Sequence, residues 1–167
     1  KISDDGKTYT FKLRDDVSFT DGQKLDAQAV ITNFTKLKDA AYSGSVSAGP
    51  VSRIIGAKAL DDHTVSFTLN QVYAPFLDYA TSLEILSPAA FNSTQLKSGG
   101  PEIAGTGPFI LKRYAKGQDI QFVKNPAYNW APKTSAHQGP AYLDEVTYRF
   151  LSESSVRTGA LSSGQVD

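Results

Sequence analysis

Residues 5–34 read DGKTYTFKLRDDVSFTDGQKLDAQAVITNF, and three signals follow one another within them. From Thr8 to Arg14 the chain alternates, with Tyr9, Phe11 and Leu13 on one side and Thr8, Thr10, Lys12 and Arg14 on the other. That period of two predicts a half-buried strand. Asp15-Asp16 and Asp21-Gly22 are turn chemistry around a second short strand, Val17–Thr20. Asp26 is then placed to cap a helix whose apolar residues Val30, Phe34 and Leu37 recur at i, i+4 and i+7.

Downstream, Asp39–Ser52 is rich in Ala, Ser and Gly and reads as a long surface loop holding one aromatic, Tyr42. Arg53–Leu60 and Thr64–Asn70 flank the turn Asp61-Asp62-His63, with Val65, Phe67 and Leu69 alternating against Ser66, Thr68 and Asn70. This predicts a hairpin with one wet face. Pro75 is suited to open a short helix, Phe76–Ala80, with Tyr73, Phe76, Leu77 and Tyr79 anchoring it to the hairpin. Thr81–Leu86 follows as an extended edge, and Ser87-Pro88 opens a turn of helix through Phe91.

The second half opens on Gly105-Thr106-Gly107-Pro108-Phe109. Its two glycines permit positive φ or close backbone approach, and the Pro removes a donor just before a strand. A second hairpin pairs Phe109–Tyr114 with Asp119–Lys124, and Val146, Tyr148 and Phe150 mark another strand. Between them, Asn125-Pro126 leads to Tyr128 and Trp130; the lone Trp is read as pinning an irregular loop, with stacking on a solute as the alternative. Ser154 is expected to cap a last helix bearing Val156, Ala160 and Leu161, with Gly164 past its end.

Composition narrows the function. Lys+Arg and Asp+Glu are both 17, and no basic run offers the surface that phosphate binding needs. Without Cys there is no disulfide and no thiolate metal site, which suits a protein outside the cytoplasm. The missing initiating Met, and a C-terminus that stops as an extended run begins, lead us to expect a piece cut at both ends.

Catalytic patterns fail one by one. His63 and His137 lie in polar turns without acidic or Cys partners at metal-ligand spacing, and His63 reads as solvated. Asp4-Asp5, Asp15-Asp16 and Asp61-Asp62 are neighbours in turns, whereas acid–base work needs carboxylates held in a shielded site. A phosphate loop fails at Gly105–Gly107, because Ile110 stands at the third glycine position and a strand follows. The sequons at Asn33 and Asn92 read as chance matches, the first inside the predicted helix.

Ordered segments carry a resemblance: DGKTYTFKLRDDVSFTDGQKLDAQAV (5–30), AKALDDHTVSFTL (57–69), Ala74-Pro75-Phe76, GTGPF (105–109), NPAYNW (125–130) and YLDEV (142–146). In this order they resemble the peptide- and nickel-binding class of solute-binding proteins of bacterial ABC importers. The chain departs from that pattern at Gln28-Ala29, where an acidic residue is usual, and by one extra residue before Trp130.

The resemblance implies an α/β protein, α+β over these residues, forming part of a periplasmic-binding-protein type II-like fold with mixed or antiparallel sheets and short helices. It implies a small insertion lobe at 1–87 and the returning part of a main lobe at 88–167, the second large lobe lying elsewhere. It further implies solute capture by hinged closure and delivery to an ABC permease, outside the cytoplasmic membrane, as a periplasmic protein or a surface lipoprotein. Oligopeptides or dipeptides are the expected solutes, with nickel chelates and oligosaccharides as alternatives. No cofactor, metal, catalysis or nucleic-acid partner is expected. Tyr42, Thr81, Ser82 and Glu84 are the candidate solute contacts, since the loop bearing Tyr42 and the crossing segment 81–86 pass near the cleft in that family. A hydrolase built on such a lobe and an extracellular sensor domain are the rival readings. An upstream lipobox would favour the transporter component, and a downstream span with a kinase region the sensor.

Overall fold

The computed structural model describes residues 1–39 and 48–167. Two three-stranded antiparallel sheets are built one after the other along the chain. The first has β1 (Thr8–Lys12), β2 (Ile54–Asp61) and β3 (Thr64–Leu69), with β3 central. The second has β4 (Phe109–Ala115), β5 (Asp119–Lys124) and β6 (Glu145–Arg149), with β5 central. The mixed α/β expectation holds.

The alternation read at Thr8–Arg14 and Thr64–Asn70 fixes the first sheet's register: Tyr9 faces Phe67, and Phe11 faces Val65. On β3 the odd positions Val65, Phe67 and Leu69 are buried, and the even ones stay half-buried. Helix α1 (Ala27–Leu37) lies across that buried face, its Phe34 ring 4.4 Å from Phe67. Asp26 caps it, accepting the Ala29 N–H at 2.7 Å. A single core results, and all its members lie between Tyr9 and Ile85.

Several expectations are corrected. Val17–Thr20 forms no strand; only the bridge Ser18–Lys24 survives, because the Thr20–Gln23 turn closes at once through Phe19 N–H to Gln23 C=O. Val17 and Phe19 still point inward and are buried. The 39–52 loop ends in a helical turn, α2 (Ala48–Val51), since Val51 is drawn fully into the core. Tyr42 lies outside the described residues. Helix α3 (Phe76–Ala80) forms after Pro75, and Phe76 is buried against Tyr9 at 4.7 Å. Leu77, expected to help anchor it, faces outward, because a five-residue helix turns only one side inward, whereas Tyr79 is partly exposed but stacks on Tyr73 as an anchor would. His63 is only half-exposed, and its Nδ1 is shielded without a hydrogen-bond partner, so it is not the freely solvated turn residue expected.

In the second half, 3-10 turns span Pro88–Asn92 and Thr94–Leu96 ahead of β4. Gly99 takes φ +79°, and a Cβ there would sit 2.5 Å from the Tyr114 ring, so only glycine fits. The last helix, α4 (Ser154–Ser162), begins after Glu153 and makes no side-chain cap, contrary to the role expected of Ser154. Its end conforms: Gly164 at φ +70° donates to Leu161 C=O and Gln165 to Ala160 C=O, a Schellman motif.

Replacing Asp26 by Ala removes the α1 cap and is expected to cost about 1 kcal/mol in urea unfolding. Phe76→Ala empties the contact between α3 and the first sheet and is expected to cost about 3–5 kcal/mol. Equal losses for the two variants would contradict this ordering.

Candidate functional site

The crossing segment 81–87 is held by hydrogen bonds at both ends. Its start is the end of α3. Thr81 donates its backbone N–H and its hydroxyl to Asp78 C=O, and Ser82 N–H reaches Tyr79 C=O at 3.0 Å. Its far end is clamped by Asn33. That side chain is 1% exposed, donates to Leu86 C=O at 2.7 Å and accepts from Leu86 N–H at 2.9 Å. The same amide also donates to Ala29 C=O. Both faces of the Leu86 peptide are thereby satisfied inside the protein, where an unpaired group would cost about 1–3 kcal/mol.

Between the clamps, side chains alternate in direction. Leu83 and Ile85 pack onto the core, while Thr81, Ser82 and Glu84 are exposed. The Ser82 hydroxyl and the Glu84 carboxylate make no hydrogen bond to other described residues. Three of the four sequence candidates thus form one contiguous polar strip. Behind it, Leu83 and Ile85 join Phe11, Leu13 and Leu25 around an apolar hollow of about 250 Å³. The sequence offered one overlooked signal for this clamp: Asn33 is a polar residue on the apolar stripe of α1, which demands a buried partner.

Ser87 is fully buried and begins a second connection. Its N–H donates to Ala104 C=O and its hydroxyl to the Asp21 carboxylate. Each of the next four carbonyls also accepts a hydrogen bond. Gly105 C=O takes Thr20 N–H (2.9 Å), Thr106 C=O the Trp130 indole (2.8 Å), Gly107 C=O the Asn125 amide (3.0 Å) and Pro108 C=O the Asn125 N–H (2.9 Å). Neither Gly105 nor Gly107 has positive φ, and a Cβ would meet nothing closer than 4.0 Å at either. The expected conformational reason for these glycines is therefore absent, and nothing else in the structure explains them.

Trp130 has the structural role read for it: its N–H is committed to Thr106 and its ring lies 5.2 Å from Tyr128. Arg14 adds a strap, donating to the Trp130 and Ala131 carbonyls at 3.1 and 3.3 Å while paired to Asp16 at 2.6 Å. The Arg14 hydrogen bonds hold the Asp16 carboxyl below the usual range and in turn raise Arg14. The pair is exposed and contributes orientation more than stability. Among the described residues no cluster of His, Asp or Glu could hold a metal ion, and no helix is long and apolar enough to cross a membrane.

Comparison with known proteins matches this arrangement to one family. The model of bacterial extracellular solute-binding proteins, family 5 (middle region), matches residues 1–167. The chain is 35% identical over 173 residues to the probable D,D-dipeptide-binding periplasmic protein DdpA of Escherichia coli, covering 100% of this chain and 31% of that protein. It is 32% identical over 168 residues to the nickel-binding periplasmic protein of the same organism, covering 99% and 30%. A substrate-binding domain of an oligopeptide ABC transporter from Bacillus anthracis superposes with a TM-score of 0.83 at 26% identity, covering 100% of this chain and 34% of that one. The chain therefore spans about a third of the length of the proteins it matches.

Trp130→Phe keeps a ring but strands the Thr106 carbonyl, so circular dichroism in urea should show a loss of about 1–2 kcal/mol. Because the folded-state pKa of Asp16 is depressed, its share of stability is present above the unfolded value. It is lost only as pH falls through the lower folded value. NMR titration should place the Asp16 midpoint below about 3.9. A midpoint at or above that value would contradict the Arg14 pairing.

Proposed function

The chain belongs to the bacterial extracellular solute-binding proteins of family 5, and from that membership we propose that it forms part of the capture component of an ABC importer. The protein binds a small solute outside the cytoplasmic membrane and hands it to the permease. No bond is made or broken on it. Residues 1–87 form the small lobe and 88–167 part of the main lobe. This division is supported by the core, whose members all precede Ser87. It is also supported by the second sheet, which lies wholly after Gly107.

Thr81, Ser82 and Glu84 are the contacts this piece offers to the solute. The observation that carries the assignment is a strip of exposed polar side chains on a backbone fixed at both ends. A pre-positioned strip loses little entropy on binding. Peptides are the favoured class, since a hydroxyl, a second hydroxyl and a carboxylate suit a chain's N–H groups and terminal ammonium. A D,D-dipeptide-binding protein and an oligopeptide transporter's binding domain stand among the relatives. Lobe closure is a population shift and needs contacts from both jaws. One wall supplies only some of them, so this chain alone binds weakly.

Calorimetry of the 167-residue chain with tri-alanine is expected to show no micromolar binding. At millimolar peptide, the amide signals of residues 81–84 should shift saturably in 15N NMR, and Glu84→Gln should weaken that response at least about threefold. Micromolar affinity, or shifts that avoid residues 81–84, would overturn the reading.

A further inference from the structure

A second group of side chains gathers about α3, the helix that leads into the polar strip. Arg53, just before β2, lays its guanidinium over the Tyr73 ring, 4.2 Å from the centroid. On its other side the Tyr73 ring stacks with Tyr79, centroids 5.7 Å apart and planes inclined by 23°. Arg53 and Tyr73 are half-buried, and Tyr79 is 44% exposed. No ion pair among the described residues involves Arg53.

The chemistry of this group is one-sided. A guanidinium stacked on a ring keeps its in-plane N–H donors while giving up hydration over its face. Such a fork matches a carboxylate in two parallel hydrogen bonds. The Tyr79 ring is at the surface, so its hydroxyl can donate to a ligand. The group offers a cation without an ion pair among the described residues and a tyrosine hydroxyl, both held in place by stacking.

We propose that Arg53, Tyr73 and Tyr79 form a binding site for a carboxylate, here the C-terminal carboxylate of a peptide solute lying along residues 81–84. The proposal rests on the solute-binding reading above. Continuity supports it: Tyr79 C=O accepts the Ser82 N–H, so the site and the strip share one stretch of backbone. The strip supplies acceptors for the N–H groups and terminal ammonium, and the Arg53 group supplies donors for the other end.

The test compares tri-alanine with tri-alanine amide, which differ only in that carboxylate, by following the side-chain Nε signals of arginine and the Tyr79 ring signals during titration. With the acid, Arg53 and Tyr79 should shift saturably, and the exposed, unstacked Arg149 should shift far less. The amide should bind at least about fivefold more weakly. Arg53→Gln should make acid and amide bind alike. Tyr79→Phe, which keeps the stacked ring, should still weaken the acid at least about twofold. Equal binding of acid and amide to the unmodified chain, with shifts confined to residues 81–84, would overturn the carboxylate site while leaving the solute-binding reading intact. Absence of saturable shifts at both places would overturn both.

Discussion

Five successive backbone carbonyls, from Ala104 to Pro108, each accept a hydrogen bond, and the two halves of the chain are joined through them. Two donors, Ser87 N–H and Thr20 N–H, come from the first half. The indole of Trp130 and both nitrogens of Asn125 come from the second. The backbone bends at residues 106–108, just before β4, and its carbonyls meet donors from both halves of the chain. Each bond contributes only about 1 kcal/mol net, but losing a donor beside buried Ser87 or Asn125 leaves a polar group unpaired, which costs more. The run is therefore a joint that is satisfied as a whole or not at all.

Such a joint matters because the two halves are unequal. The first sheet owns a core of aromatic and branched side chains under α1. The second sheet buries little of its own: beyond Ala104 the buried residues are Asn125, Ala131 and Ala160. Phe109, Phe122, Val146 and Tyr148 line an open hollow of about 210 Å³ instead of a packed interior. A small sheet with one exposed apolar side is marginal by itself. Its order is sustained from the end where β4 begins, at Pro108 and Phe109, immediately after the carbonyl run. Function then inherits rigidity from the same place, since the strip at residues 81–84 runs into Ser87 and hence into Ala104.

Much of this was legible in the sequence because the signals are local. Alternation at Thr8–Lys12 and Thr64–Leu69 and a turn at Asp61–His63 determine the first sheet's register, and Asp26 before an apolar stripe marks α1. The ordered segments gave the family. What escaped depended on contacts distant in sequence. Every residue has a carbonyl, so nothing in GTGPF advertises a run of acceptors, and its glycines suggested a conformation that does not occur. A single turn at Ala48–Val51 containing Pro50 has no periodicity to read; it exists because Val51 is buried. The outward turn of Leu77 depends on which side of α3 meets Tyr9. The candidates Thr81, Ser82 and Glu84 came from resemblance, and the clamp that fixes them, Asn33 on Leu86, spans more than fifty residues of sequence.

The account turns on the carbonyl run making one mechanical unit of the two halves, and native-state hydrogen exchange reads that directly. The amides of Thr20, Ser87 and Asn125 all donate into the run. They are predicted to exchange with a common free energy, equal within about 0.5 kcal/mol to that of the central-strand amides of β3. Exchange of the Asn125 amide more than about tenfold faster than those of Thr20 and Ser87, a gap of about 1.4 kcal/mol, would show the second half opening alone and would contradict the account.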